Sequence, residues 1–149
     1  MKRQGESLPR EVQQLLAPFF VGFDLRRIRI FEGIPRYVLA TPIGYADRNN
    51  IYLAPGYYRV DTAAGLALIA HEITHCRQYQ QLGAWRFRAK YLAAYFKNRR
   101  SGMRHDQAYL QISFEIEARE VERKVCEAIQ HLQTLFNRNC SASSPHIGG

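Results

Sequence analysis

Two histidines four residues apart, His71 and His75, constrain this chain more than any other feature of its sequence. Residues at positions i and i+4 of an α-helix lie on one face about one turn apart, so both imidazole rings can reach a single Zn²⁺ at ~2.0–2.1 Å. Glu72 directly follows the first histidine and is rotated by about 100° around the helix. Its carboxylate can contact a water on the metal without occupying a coordination position, which predicts a metal centre with a base beside it.

The segment that carries the histidines has the pattern of a long buried helix. We predict that it begins after Asp61, as its N-cap, and ends near Leu82, just before Gly83. Apolar residues form one face, and others lie beside the histidines on the opposite face: Leu66, Ile69, Ala70, Ile73 and Cys76 on the first, Ala64, Leu68 and Leu82 on the second. A helix that is apolar on two sides is covered on two sides, so the histidines should face the interior or a cleft. The alternatives are a metal-free pair hydrogen-bonded in the core and a pair exposed to solvent.

A catalytic zinc usually has three protein ligands, of which the histidines supply two. A last helix, predicted from Ser113 to about Phe136, begins with two glutamates, Glu115 and Glu117. Glu117 lies slightly nearer the apolar stripe of that helix and Glu115 lies at its margin, so the spacing leaves both open as the third ligand. Glutamate in a first helical turn is also favoured by the helix dipole without any metal.

Length and composition are those of one globular domain. The chain has 149 residues, of which 46% are apolar, and no apolar run approaches the ~20 residues that a membrane-spanning helix needs. We predict a single domain over residues 1–136 and a disordered tail over residues 137–149. No apolar segment follows the charged N-terminus, so we expect no signal peptide and a cytoplasmic location, with export by a specialised secretion system as the alternative.

Shorter elements surround the long helix. A short helix capped by Ser7 is predicted first, followed by β-strands over residues 25–31 and 50–53. A further helix is predicted over residues 84–98, and a loop over residues 97–106. The sum is a helix-rich α+β fold with a small N-terminal sheet.

The stretch from Arg77 to Arg104 is basic and aromatic. Between Ile73 and His105 the sequence has eight Lys or Arg residues and no Asp or Glu. Together with the interleaved Trp, Phe and Tyr residues, these bases could form a surface for an acidic partner, for nucleic acid or for an anionic membrane. Alternatively, the aromatic side chains pack against the metal helix, and the solvated bases cover apolar surface with their stems.

The His-Glu-x-x-His helix, followed later by Glu-x-x-Ala, resembles the zincin metallopeptidases, and in particular the gluzincin branch, whose third ligand is a glutamate. The resemblance implies that Glu115 is the ligand, because it stands three positions before Ala118. It also implies an Asp or Asn after the alanine that braces a histidine, whereas this chain has Arg119 there. That departure keeps Glu117 open as the ligand.

Residues 25–82 are moreover similar to a small bacterial zincin-like domain known in effectors and cores linked to contractile injection systems. The residues that carry this similarity lie in the runs 28–33, 44–53 and 68–75, with Gln78 just beyond. The similarity implies a minimal zincin-like fold in which a strand lies beside the active-site helix. A substrate peptide could then lie extended along the edge of that strand.

These patterns predict a zinc-dependent endopeptidase that acts on a protein or peptide. Glu72 would take a proton from the metal-bound water and return it to the leaving amine. His105 and Tyr109 are candidates, by position only, for stabilising the oxyanion. The alternative is a non-catalytic module that uses the basic aromatic helix, residues 84–104, to bind an acidic partner, nucleic acid or a membrane surface. Glu72 favours the enzyme, because a metal-stapled scaffold needs the histidines but no base.

Overall fold

A small mixed sheet forms one layer of the fold. The computed structural model describes residues 5–38 and 42–142. Within these residues the sheet has four strands in the spatial order β1-β2-β4-β3, where β1 is Glu6–Ser7, β2 is Arg29–Glu32, β3 is Gly44–Asp47 and β4 is Asn50–Leu53. Strand β2 pairs with β4 in parallel, and the other two pairings are antiparallel. Strand β3 is therefore an edge strand.

Helices make up most of the described chain. Five α-helices follow in chain order, and they are α1 Arg10–Leu16, α2 Ala63–Leu82, α3 Ala84–Arg100, α4 His105–Leu110 and α5 Ser113–Ala142. Together with the sheet they give a helix-rich α+β fold, as predicted. No helix within residues 5–38 and 42–142 is both long and apolar enough to cross a membrane.

Helix α2 lies between the sheet and α5, which buries it on two sides. Ile69 and Ile73 are fully buried in one core together with Ile51 and Leu53 of β4 and with Val125 of α5. This arrangement confirms the expectation from the two apolar faces of the helix. Burying a side chain of this size stabilises the fold by about 1.5–3 kcal/mol relative to leaving it exposed.

The ends of α2 are set by two local signals. The Thr62 hydroxyl accepts a hydrogen bond from the Gly65 amide at 3.1 Å, so Thr62 is the N-cap. The prediction of Asp61 as the cap was wrong by one residue, because the Asp61 carboxylate instead pairs with Arg59 at 2.9 Å. Gly83 adopts a φ of 79°, a conformation that favours glycine, and the helix ends there as predicted.

The N-terminal part of the chain differs from the prediction in two places. Ser7 does not cap α1, because it pairs with Arg29 in the sheet and Pro9 occupies the N-cap position. The predicted strand over 25–31 is shorter, since Leu25–Arg27 forms a 3₁₀ turn in which Asp24 accepts a hydrogen bond from the Arg26 amide. The strand predicted over 50–53 has the bounds of β4.

The chain after α2 is more helical than predicted, and α4 was not predicted. Helix α3 continues to Arg100 and α4 begins at His105, so the connection between them is only residues 101–104. Helix α5 passes Phe136 and reaches Ala142, because its polar residues 137–142 include no glycine or proline to stop it. Those residues of the predicted tail are therefore helical, and residues 143–149 lie outside the described part of the chain.

Candidate metal centre

Helices α2 and α5 bring three potential ligands together. His71, His75 and Glu115 each offer one ligand atom, and these atoms lie within 4.8 Å of one another. The two Nε2 atoms are 3.2 Å apart. The Glu115 carboxylate completes a triangle, with its oxygens 3.4 Å from His71 Nε2 and 3.3 Å from His75 Nε2.

The size of this triangle fits a metal ion. A tetrahedral ion with bonds of ~2.0–2.1 Å places its ligand atoms about 3.3 Å apart. The two Nε2 atoms are at this separation, and each Nε2 lies at a similar distance from one of the two Glu115 oxygens, Oε2 for His71 and Oε1 for His75. Glu115 Oε2 is buried without a hydrogen-bond partner among the described residues, although a buried polar atom normally has one. Two imidazoles and a carboxylate suit zinc, and iron or manganese can bind the same set. The residues therefore form a site that can hold a metal, whose identity stays open.

The other nitrogen of each ring is hydrogen-bonded to a supporting side chain. His71 Nδ1 lies 2.9 Å from the Glu122 carboxylate, which only accepts, so Nδ1 carries the proton and donates. His75 Nδ1 donates to Gln78 Oε1 at 2.8 Å. Both bonds leave a lone pair on Nε2, directed at the triangle, in the arrangement that orients metal ligands in many proteins.

Glu117 belongs to the layer behind the ligands. Its carboxylate accepts a hydrogen bond from Gln78 Nε2 at 2.8 Å and pairs with Arg77 at 2.9 Å. Two residues correspond to about 200° of helix rotation, so Glu115 and Glu117 cannot both face the histidines. The structure places Glu115 beside the histidines and Glu117 beside Gln78. It therefore does not support the alternative in which Glu117 is the third ligand.

The electrostatics of the group follow from its burial and its charges. Burial lowers the pKa of His71, but the adjacent Glu115 and Glu122 carboxylates outweigh it and raise that pKa to about 9. Without a metal the ring therefore holds a second proton, on Nε2, which a bound metal would replace. Burial alone would raise the pKa of Glu115, and contact with both histidines brings it well below its usual range. Burial raises the pKa of the Glu72 carboxyl. Glu72 has no hydrogen-bond partner among the described residues, which leaves its oxygens available to a bound molecule.

A cleft of about 370 Å³ opens beside this group, and the side chains of Glu72, His75 and Glu115 line it. Most of its other lining residues are apolar or aromatic, among them Tyr45, Ala46, Tyr79, Phe87 and Leu92. The edge strand β3 forms one wall. A Cβ at Gly44 would overlap the Glu72 carboxylate in its present position, so the close approach of the strand to Glu72 relies on a glycine here.

Among the described residues, none pairs with the outer edge of β3, so its peptide groups there can bind an extended chain. The Ala54 amide donates to Ile43 O, so residues 43 and 54 form a hydrogen-bonded pair of the ladder between β3 and β4. Asp47 and Asn50 form another such pair across the two-residue turn. Because hydrogen-bonded pairs alternate in an antiparallel ladder, Tyr45 also faces β4 with its peptide groups. The peptide groups of Gly44 and Ala46 then point away from the sheet.

Two tyrosines lie next to the ligands, and only one of them was predicted. Tyr109 lines the cleft, as expected for an oxyanion donor. Tyr91 was missed, yet its hydroxyl donates to Glu115 Oε1 at 2.6 Å. Burial raises the pKa of both phenols, so both stay protonated. His105 instead contacts the Tyr95 hydroxyl at 2.7 Å, in an exposed position away from the residues that line the cleft.

The supporting residues were also missed, although the sequence carried a signal for each. Gln78 lies three residues after His75 and Glu122 seven residues after Glu115, which are spacings that place side chains on one helix face. For Tyr91 the sequence has no comparable local signal. Its contact with Glu115 depends on how α3 packs beside α5.

Comparison with known proteins gives one match. Residues 7–83 match the family model described as the eCIS core domain, and this match covers more than half of the chain. His71, Glu72 and His75 lie inside the matched segment, and Glu115 lies beyond it. Neither the curated proteins nor the solved structures contain a match.

Proposed function

The chain belongs to the eCIS core domain family, named for the extracellular contractile injection system, and we propose that it acts there as a zinc-dependent peptidase. The proposal includes the zincin type of mechanism that the His-Glu-x-x-His resemblance implies. In this role the chain would work together with other components of such a system. It would cleave proteins or peptides of that system.

One observation carries the proposal. A buried carboxylate, Glu72, lies in a cleft next to three ligand atoms at metal-binding distances, while a different glutamate, Glu115, supplies the third of those atoms. A purely structural metal site is closed by four protein ligands, whereas a catalytic site has three and keeps one position open. The base and the three-ligand set together favour hydrolysis over a structural role.

The mechanism divides into roles for individual residues. When bound, a zinc ion supplies a positive charge that acidifies water and polarises a peptide carbonyl. His71, His75 and Glu115 would hold the ion, and Glu72 would accept the proton of the attacking water and pass it to the leaving amine. Tyr109, protonated and in the cleft, would donate a hydrogen bond to the developing oxyanion. Tyr91 would keep Glu115 in place through its 2.6 Å hydrogen bond.

The substrate would bind as an extended peptide along β3. The peptide groups of Gly44 and Ala46 can pair with it as an added strand, which gives affinity without selecting side chains. The apolar walls of the cleft, including Val38 and Phe87, would then accommodate apolar side chains of the substrate.

Metal loading followed by peptide-library digestion tests the proposal. We expect about one zinc per chain by elemental analysis, cleavage of library peptides by mass spectrometry, and loss of zinc in His71→Ala. Glu72→Gln should retain zinc and lose at least about a hundredfold in cleavage rate, since general acid–base catalysis contributes about 10²–10⁴-fold. The control Glu127→Gln, on the exposed side of α5, should match the unmodified chain.

Two results would contradict the proposal at different steps. Absence of zinc binding even with excess zinc would remove the metal centre. Zinc binding with equal cleavage by the unmodified chain and by Glu72→Gln would remove the catalytic role and leave a metal-stapled binding module as the function.

A further inference from the structure

Helix α3 has two apolar faces, and residues 5–38 and 42–142 cover only one of them. On the inner face, Phe87 is buried and packs against Tyr79 and Phe114 with ring centroids 4.2 and 4.9 Å away. This confirms half of the interpretation that the aromatic residues of this stretch pack beside the metal helix. The other half fails for Trp85 and Phe96, which lie on the opposite side of α3.

The outer face carries a continuous apolar stripe. Trp85, Leu92 and Phe96 are 84%, 54% and 59% exposed. Their spacings of seven and four residues place them on one line along the helix, about 16 Å long. Ala89 and Ala93 fill the same face and are also exposed. Large apolar side chains exposed together in this way are typical of a surface that binds another protein, a membrane or a ligand.

Bases border this stripe on both sides. Arg86, Lys90 and Lys97 lie along one flank, Arg88 and Arg99 lie along the other, and Arg100 lies at the C-terminal end. Helix α3 contains no acidic residue. Arg88 pairs with Asp47 at 2.8 Å, whereas Arg86, Lys90, Lys97 and Arg100 are exposed and have no ion-pair partner among the described residues.

We propose that the outer face of α3 binds an anionic lipid surface, with Trp85, Leu92 and Phe96 in the acyl boundary and the flanking bases at the phosphate groups. Apolar residues at the centre with Lys and Arg at the sides are the pattern of a helix that lies in a membrane interface. Nucleic acid fits less well, because the Trp85 indole N–H is the one hydrogen-bonding group that the side chains at the centre of the face offer to bases or phosphates. This inference does not depend on peptidase activity.

The chain contains its own reporter for this contact. Trp85 is the one tryptophan in the sequence and lies in the stripe, so all tryptophan emission comes from the proposed contact surface. We expect the emission of the full chain to shift to shorter wavelength with vesicles of phosphatidylcholine and phosphatidylserine. Vesicles of phosphatidylcholine alone should produce no shift, because the bases then lack an anionic surface.

Paired variants separate the charge and apolar contributions. Lys90→Gln with Lys97→Gln should weaken vesicle binding by about fivefold for each base, roughly 25-fold together. Arg10→Gln with Arg27→Gln removes the same charge from exposed positions elsewhere and should change it little. Phe96→Gln should weaken binding by about tenfold, unlike Phe136→Gln, a change at a phenylalanine of α5 that is 68% exposed.

Three results would overturn the proposal. The first is an unchanged Trp85 emission with the mixed vesicles. The second is equal weakening by the α3 variants and by their controls. The third is an emission shift with duplex DNA or polyglutamate and none with vesicles, which would assign the surface to a different partner.

Discussion

The orientation of two imidazole rings is decided by two single residues, Glu122 and Gln78. Each accepts a hydrogen bond from the Nδ1 of one histidine, which fixes the tautomer and directs Nε2 at the ligand triangle. Gln78 is itself held, because its Nε2 donates to Phe114 O and to Glu117. Glu122 takes the bracing position that the resemblance would give to an Asp or Asn at residue 119, one helical turn earlier.

Replacing Glu122 should therefore weaken metal binding without removing a ligand. We expect Glu122→Ala to lower zinc affinity by about 10–100-fold, the usual cost of losing a residue that supports a metal ligand. Competition with a chromophoric chelator measures this affinity directly. Glu127→Ala, five residues further along α5, is the control and should bind zinc like the unmodified chain. Equal affinity of the Glu122 variant would show that the hydrogen bond to His71 does not orient the ring.

The sequence predicted the three potential ligands well but not the side chains that support them. His71 and His75 follow from one helix face, and Glu115 was one of two glutamates that the spacing left open. Choosing between them requires the rotation of α5 about its own axis, which packing against α2 sets. Tyr91 reaches Glu115 across a helix–helix contact, and a contact of that kind has no local sequence pattern.

At the scale of elements, α2 is the part of the fold that depends most on local sequence. Thr62 at its start and Gly83 at its end set its length, and its two apolar faces require the sheet on one side and α5 on the other. Strand β1 was not predicted, and residues 44–47 of β3 were expected only as part of the run 44–53 that the resemblance gave, not as a separate strand. Strand β1 has two residues and no pattern. Strand β3 includes Gly44, which weakens the strand pattern and whose missing side chain leaves room for Glu72.

The cap of α2 can be tested with two neighbouring variants. Thr62→Ala removes the side-chain acceptor for the Gly65 amide and should lower the free energy of unfolding by about 1 kcal/mol. Asp61→Ala removes only an exposed pair with Arg59 and should have the smaller effect. Denaturant unfolding of both variants measures the difference. If Asp61→Ala lowered the free energy of unfolding more than Thr62→Ala, Asp61 would be the N-cap, as the sequence first indicated.

At the scale of the whole molecule, the ligands join two helices that are distant in sequence. The histidines belong to α2 and Glu115 to α5, with α3 and α4 between them. A metal held by all three binds the folded chain and not the unfolded one, so it stabilises the entire fold. The family match ends at residue 83, yet the site is incomplete without α5. The segment after the matched domain is therefore part of the same functional unit.

Thermal unfolding with and without zinc tests this coupling and also the choice between the two glutamates. Zinc at about a hundred times its dissociation constant adds ~2.7 kcal/mol to the stability of the folded chain, which corresponds to a rise in Tm of about 5–10 °C for a domain of this size. Glu117→Gln should retain that rise, because Glu117 contacts Gln78 and Arg77 and not the histidines. Glu115→Gln should lose it, because the third ligand between α2 and α5 is gone. A zinc-dependent rise that persists in Glu115→Gln and disappears in Glu117→Gln would exchange the roles of the two residues.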